Sequence, residues 1–277
     1  MSTSVQTYIA ENYGVTTDSH PDPIITIAGT RLLTEIGMQE LLQVYSPLMK
    51  ALEPAAAGAY LISRLGSLNA AMQYMVTHDE LVDLSPSLWA LQLYRSEKGF
   101  IEFRIVLQEI RPLSGPPCGG RSEWREAHLS RWYAETIRPI VEAIAAAADM
   151  DIRHLWKIVP MRLRFIFGQW KEASVSEEWH ARYEEDHVFV TKELKGEVFG
   201  RLRNPLHVNI VNLDYPGKPG EPDTTIKMKT ACCMYYRTEG GQYCYTCPRM
   251  KPQEREERKE RLRAQFAEEA AAKIVAN

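Results

Sequence analysis

The sequence predicts an α+β fold, a mostly helical scaffold with an antiparallel sheet, from two kinds of hydrophobic spacing. Over residues 36–52 and 55–75, apolar residues recur every three or four positions, which is typical of amphipathic helices. Between residues 88 and 110 the spacing shortens to every second residue on either side of a turn at 96–99, which indicates a β-hairpin. Residues 1–30 are polar and interrupted by prolines, so we expect an irregular arm or a short edge element there.

Three further helical segments are expected between residues 122 and 194. Ser122 is the predicted cap of the first, and Pro160 should kink or split the second near its middle. Ser174 and Glu177 fit a capping box that opens the third segment. After Gly196 the pattern changes, and residues 206–213 and 225–231 are predicted to be strands on either side of a loop rich in proline and glycine.

Composition excludes several classes of protein. The chain has 277 residues, of which 45% are hydrophobic and 25% are charged, with a formal net charge of −3. This balance supports a buried core, argues against disorder, and lacks the basic excess of nucleic-acid-binding domains. The sequence contains neither the roughly 20-residue apolar run of a membrane span nor a secretory signal pattern. We therefore expect a soluble, cytoplasmic protein.

Cysteine usage gives the most informative chemical signal. The chain has five cysteines, an odd number that does not suit a secreted disulfide framework. Cys118 stands alone in a loop and is interpreted as an incidental thiol. The other four form a C-C-x10-C-x2-C pattern near the C-terminus: Cys232, Cys233, Cys244 and Cys247. Four clustered thiols suit an iron–sulfur cluster, a structural zinc ion or a disulfide switch.

The vicinal pair helps to weigh these three chemistries. Adjacent residues on a regular strand point to opposite faces, so Cys232 and Cys233 reach one site only if the backbone turns there. A two-iron cluster offers thiolates more widely separated attachment points than a single ion does. The spacing therefore favours an iron–sulfur cluster, while zinc and a vicinal or CxxC disulfide remain open.

The cysteine pattern and its surroundings resemble the FhuF-like ferric siderophore reductases. The resemblance rests on Tyr235-Tyr236-Arg237 after the vicinal pair, Gly240-Gly241 between the pairs and Pro248 after the last cysteine. Leu155-Trp156 is a less specific match. The resemblance implies an oxidoreductase that reduces Fe(III) in a hydroxamate- or citrate-type chelate by one electron, so that weakly held Fe(II) leaves. It also implies a [2Fe-2S] cluster held by Cys232, Cys233, Cys244 and Cys247.

The region around these cysteines is basic, unlike the chain as a whole. Residues 200–251 contain eight Lys or Arg residues against four acids. Positive charge near a cluster favours its reduced state and steers anionic chelates toward it. We single out Arg237, Arg249 and Lys251 for contacts with the chelate or for tuning the cluster. The tyrosines of this region are expected to shield the cluster or to pack structurally.

The sequence has no dinucleotide fingerprint after a strand and no flavin motif, so an external donor such as a protein reductase or a ferredoxin is expected to supply electrons.

Residues 1–225 would form the scaffold with the ferric-siderophore-binding region, and residues 226–251 a small C-terminal iron–sulfur segment. Residues 252–277 would form a charged helix with Leu262, Phe266 and Ile274 on one face. The alternatives are a non-enzymatic protein with a structural four-cysteine zinc site and a ferredoxin-like electron carrier.

Overall fold

The computed structural model describes residues 4–172 and 176–275, and within them the α+β class is confirmed. The helices are α1 (Val5–Tyr13), α2 (Glu35–Leu48), α3 (Pro54–Thr77), α4 (Arg121–Trp132), α5 (Arg138–Ala147), α6 (Ile152–Glu172), α7 (Glu177–Val188) and α8 (Pro252–Val275). The strands are β1 (Val15–Thr16), β2 (Pro23–Ala28), β3 (Trp89–Arg95), β4 (Ile101–Leu107), β5 (Asn212–Tyr215) and β6 (Thr224–Lys227).

The larger sheet has the strand order β1-β4-β3-β2. The predicted hairpin is confirmed as β3 and β4, which run antiparallel with Trp89 opposite Leu107 and Arg95 opposite Ile101. However, β1 pairs with β4 in parallel. This sheet is therefore mixed, whereas the sequence predicts an antiparallel one. The smaller sheet consists of β5 and β6 and is antiparallel.

Residues 5–28 are not an irregular arm, because they form α1, β1 and β2. The alternative of a short edge element agrees with β1 and β2, which are the edge strands of the larger sheet. The Ser4 hydroxyl accepts a hydrogen bond from the Thr7 N–H at 3.2 Å, and Gly14 ends the helix in the left-handed conformation. Pro23 is tolerated because it is the first residue of β2, an edge strand.

Helix α3 lies at the centre of the molecule and is buried along most of its length. It packs against α1, α2, α5, α6 and α7. Gly58 permits a close approach to α5, since an added Cβ would lie 3.0 Å from the side chains of both Ile144 and Ala148. The first half of α3 faces the segment that carries Cys232, Cys233, Cys244 and Cys247, since the Tyr60 ring lies 6.1 Å from that of Tyr235. This helix therefore connects the core with the four cysteines.

Three predicted details differ from the structure. Helix α4 begins at Arg121, with Gly120 at its cap, so Ser122 is not the cap. Helix α6 is not split at Pro160, and Val159 and Leu163, on either side of the proline, are both buried in the core. Ser174 lies outside the described residues, and Ser176 caps α7 by accepting a hydrogen bond from the Trp179 N–H at 3.2 Å.

The strand predicted over residues 206–213 is shorter and later than expected, since β5 begins at Asn212. The C-terminal helix α8 packs on this small sheet: the rings of Phe266 and Tyr215 lie 6.3 Å apart, and Lys259 Nζ lies 3.1 Å from an Asp223 carboxylate oxygen. The side chain of Ile274 lies outside the described part of the chain. No helix in the described ranges has both the length and the apolar character needed to cross a bilayer.

Candidate metal centre

The four clustered cysteines lie in an irregular segment between β6 and α8. The chain turns directly after the vicinal pair, where Met234 adopts the left-handed conformation with a φ of 58°, and a short 3-10 helix follows at Tyr235–Arg237. The turn expected at Cys232 and Cys233 is therefore present. A second turn at Gly240, with a φ of 69°, leads toward Cys244 and Cys247.

The four thiols come together as two pairs. The Sγ atoms of Cys232 and Cys247 lie 3.5 Å apart, and the thiol of Cys233 forms a hydrogen bond with that of Cys244. All are free thiols, and 3.5 Å far exceeds the sulfur–sulfur distance of a disulfide. The two adjacent cysteines thus have different partners. Within the described residues, no three Cys, His, Asp or Glu side chains converge closely enough to hold a single metal ion.

An apolar cover lies over the Cys232–Cys247 pair. Met250 is buried with these two cysteines, and Tyr236 and Tyr243 pack against them with their ring centroids 4.4 Å apart. Cys244 is the most exposed of the four cysteines and is half-buried. The site is therefore closed by tyrosine rings on one side and open to solvent near Cys244.

The three predicted basic residues have different surroundings. Arg237 forms an ion pair with Glu53, and its Nε donates a hydrogen bond to the Tyr236 hydroxyl at 2.9 Å. Arg249 Nη1 donates to the same hydroxyl at 2.6 Å. Lys251 is exposed, and its backbone N–H donates to a Glu254 carboxylate at 3.3 Å. Two of the three therefore hold the tyrosine that covers the Cys232–Cys247 pair.

Lys229 is the cation nearest to the other pair, and sequence reasoning did not single it out. Its Nζ lies 3.4 Å from Cys233 Sγ. Burial acts to lower the pKa of Lys229, but the charges of Cys233 and Cys244 outweigh it and raise that pKa overall. The hydrogen bond from Cys233 lowers the pKa of the Cys244 thiol, and the Lys229 charge acts in the same direction. The lysine therefore compensates negative charge at this pair.

The vicinal pair is attached to the scaffold through backbone contacts. His154, near the start of α6, places Nε2 2.8 Å from the Cys232 carbonyl oxygen. Because a carbonyl oxygen only accepts, this ring nitrogen carries the proton. The connection between α2 and α3 pairs with the segment after Cys233, where the Leu52 N–H donates to the Arg237 carbonyl at 3.0 Å. These contacts fix the position of the first two cysteines.

Helix α8 holds the second two cysteines. Arg255 donates to the carbonyls of Tyr245, Cys247 and Met250 at 3.2, 2.9 and 3.2 Å. Arg258 donates to the Tyr243 carbonyl. The sequence analysis described this helix only as charged and did not single out its arginines. The signal that was missed is their spacing, since both arginines continue the helix face that carries Leu262 and Phe266.

The donor set fits a two-iron cluster in its chemistry. Thiolates are the usual ligands of [2Fe-2S] clusters, and two pairs of thiols match two metal atoms that each take two protein ligands. The Met234 N–H, which donates to Cys232 Sγ at 3.4 Å, and the nearby Lys229 cation would stabilise such a negatively charged group.

Comparison with protein-family models gives a match over the cysteines. A search of curated proteins finds no similar sequence. The family model described as the FhuF 2Fe-2S C-terminal domain matches residues 230–249, which contain all four clustered cysteines. The match confirms the resemblance over these residues and points to an iron–sulfur, siderophore-related protein whose cofactor is a [2Fe-2S] cluster.

Proposed function

We propose that this protein is a cytoplasmic ferric siderophore reductase. The observation that carries the proposal is the arrangement of four thiols as two pairs within the residues that match the FhuF 2Fe-2S C-terminal domain. When bound, the cluster supplies one electron to Fe(III) of the chelate, which leaves as Fe(II), and an external donor restores that electron. The donor belongs to the class of protein reductases or ferredoxins.

The ligand set follows from the pairs. Cys232 and Cys247 would bind one iron, and Cys233 and Cys244 would bind the other. Residues 226–251 then form the cluster-binding segment, residues 252–277 the helix that holds it through Arg255, and residues 1–225 the scaffold with the chelate-binding region.

The chain's own residues set the electrostatics of electron transfer. Lys229 contributes a positive charge beside Cys233, and the Met234 N–H donates a hydrogen bond to Cys232 Sγ at 3.4 Å. Both favour a more negative, reduced centre. Arg237 and Arg249 tune the site by holding Tyr236 over the Cys232–Cys247 pair. Exposed Lys251 is available to an approaching anionic group.

Single-turnover mixing tests this function. Dithionite-reduced protein, freed of excess dithionite, is mixed with a ferric hydroxamate while a ferrous-specific chelator traps the product. We expect one Fe(II) per oxidised cluster, whereas the gallium hydroxamate, which cannot be reduced in this way, leaves the visible spectrum unchanged. A cluster that reduces cytochrome c but no ferric chelate would instead support the electron carrier.

Gly241 gives a specific test of the segment's backbone. A Cβ added there would lie 2.0 Å from the Tyr235 carbonyl oxygen. Gly241→Ala should therefore displace the turn that connects Cys233 with Cys244 and greatly reduce the iron bound per chain. Gly240→Ala is the matched control, because its Cβ meets nothing within 4 Å and only the left-handed backbone costs about 1–2 kcal/mol. Equal iron contents in the two variants would contradict this account.

Arg255 tests the role of α8. Arg255→Ala removes three hydrogen bonds to carbonyls around Cys247, and we expect the cluster to be lost to a chelator roughly tenfold faster. Arg261→Ala is the control, since Arg261 is exposed on the same helix and has no hydrogen bond or ion pair within the described residues. The decay of visible absorbance in the presence of EDTA measures the rate. An unchanged rate for Arg255→Ala would mean that α8 does not hold the segment.

A further inference from the structure

A groove of about 350 Å³ lies between α8 and the turn that precedes Cys244. Most of its lining residues are three or four positions apart on α8 and therefore share one face of the helix. The lining consists of Arg258, Arg261, Leu262 and Gln265 on the helix and Gln242 on the turn. The groove thus combines two guanidinium groups, two amides and one apolar side chain, and the described lining includes no acid.

The positive charge of this groove is available to an external partner. Arg261 is exposed and has no hydrogen bond or ion pair within the described ranges. Glu260, which precedes it, forms its ion pair with Arg263 at 3.0 Å. The carboxylate of Glu269 accepts a hydrogen bond from the Gln265 amide at 2.8 Å. The acids beside the groove therefore have other partners, and the Arg261 charge is left uncompensated.

The groove adjoins the open side of the cysteine site. Arg258 donates a hydrogen bond to the carbonyl of Tyr243, the residue before Cys244. Gln242 precedes Cys244 by two residues, so their Cα atoms lie at most about 7 Å apart. Cys244 is half-buried, whereas the other three clustered cysteines are buried. A protein docked in the groove would therefore lie next to the most accessible thiol of the four.

We propose that this groove is the docking site of the electron donor and that the donor is a small, acidic, one-electron carrier protein. This inference rests on the proposed function, in which an external donor supplies the electrons. Two guanidinium groups around an apolar side chain match the apolar centre and charged rim of a protein interface, and they complement carboxylates on the donor. One electron passes from the donor to the cysteine-bound centre, no bond forms or breaks, and no proton has to move.

Stopped-flow mixing with reduced flavodoxin tests this surface. Flavodoxin is acidic, and its flavin hydroquinone gives up one electron to become a semiquinone, whose absorbance rises as that of an iron–sulfur cluster falls. We expect Arg261→Glu to slow electron transfer to the full-length, cluster-containing protein roughly five- to tenfold at low salt. Arg261→Lys should react nearly as fast as wild type. Added salt should slow the wild type and reduce the difference between the variants.

Lys98→Glu is the matched control, because Lys98 is exposed on the turn between β3 and β4 and the substitution changes the net charge by the same amount. Calorimetric titration with oxidised flavodoxin gives a second readout without electron transfer, and Arg261→Glu should weaken that binding roughly five- to tenfold. Equal rates and affinities for Arg261→Glu and Lys98→Glu would overturn the inference. Binding to phosphatidylserine vesicles that requires Arg261, with unchanged flavodoxin kinetics, would overturn it in favour of a lipid surface.

The donor step and the proposed function fail separately. Arg261→Glu protein that has been reduced with dithionite should still release Fe(II) from a ferric hydroxamate at the wild-type rate, which confines the defect to the donor step. A slowed release would contradict a role limited to donor docking. If flavodoxin reduces the wild type in an Arg261-dependent way but no ferric chelate reoxidises it, the proposed function fails and the docking surface stands.

Discussion

Replacement of Cys247 by serine is expected to remove the visible colour and ferric-chelate reduction together. Cys247 is only 1% exposed, and its Sγ lies 3.5 Å from that of Cys232. A serine hydroxyl does not replace the soft thiolate that iron–sulfur clusters require. Since changes around metal ligands alone cost roughly 10- to 100-fold, loss of a ligand should slow reduction by more than about 100-fold. Iron and sulfide analysis with single-turnover mixing measures both effects.

Cys118→Ser is the matched control, because Cys118 is an exposed free thiol outside the cysteine segment. This variant should keep the full cluster content and the full rate. A Cys247→Ser protein with two irons and normal colour would remove Cys247 from the ligand set. A Cys247→Ser protein that loses stability but shows unchanged redox behaviour would support the alternative of a structural four-cysteine zinc site.

Asp186→Asn is expected to lower the free energy of unfolding by about 3–5 kcal/mol, because it removes the buried carboxylate that Arg121 and Arg125 share. Asp186 is 1% exposed and accepts two hydrogen bonds from Arg121 at 2.8 Å and one from Arg125 at 3.0 Å. Thr77 Oγ1 donates a further bond at 3.0 Å. This carboxylate joins α7 to α4 and α3. Urea denaturation followed by far-ultraviolet circular dichroism measures the change.

The neighbouring Glu185 provides the control in the same network. Its carboxylate also pairs with Arg125, at 2.8 Å, but its side chain is 59% exposed. Glu185→Gln should therefore change the free energy of unfolding by less than about 1 kcal/mol. Equal effects of the two substitutions would show that burial of the Asp186 charge is not what stabilises this junction. Cluster content should be normal in both variants under native conditions.

Much of the scaffold is predictable from hydrophobic spacing. The β3–β4 hairpin follows from alternation across the turn at 96–99, and α2 and α3 follow from their apolar period. Helix α1 is only nine residues long, so its apolar positions form too short a pattern to stand out. Its signals are local, namely the cap at Ser4 and the left-handed Gly14.

The site is predictable in its residue types but not in its arrangement. The cysteine spacing indicates a four-thiolate centre, yet four cysteines allow three pairings and sequence does not choose among them. The pairing in the structure depends on the left-handed turn at Met234, a residue with no preference for that conformation. The contacts of His154 and Arg255 with backbone carbonyls are tertiary and leave no local pattern. Charged residues on an exposed helix are ordinarily solvated, so the position of Arg255 on the face that carries Leu262 and Phe266 was its only signal.

The central claim is that the four clustered cysteines hold a [2Fe-2S] cluster, and metal analysis with a visible spectrum of anaerobically purified protein tests it most directly. The account predicts a red-brown protein with two irons and two acid-labile sulfides per chain, whose absorbance bleaches with dithionite and returns when a ferric hydroxamate is added. A colourless protein that contains one zinc per chain and is unchanged by dithionite would contradict it and leave a structural zinc site in its place.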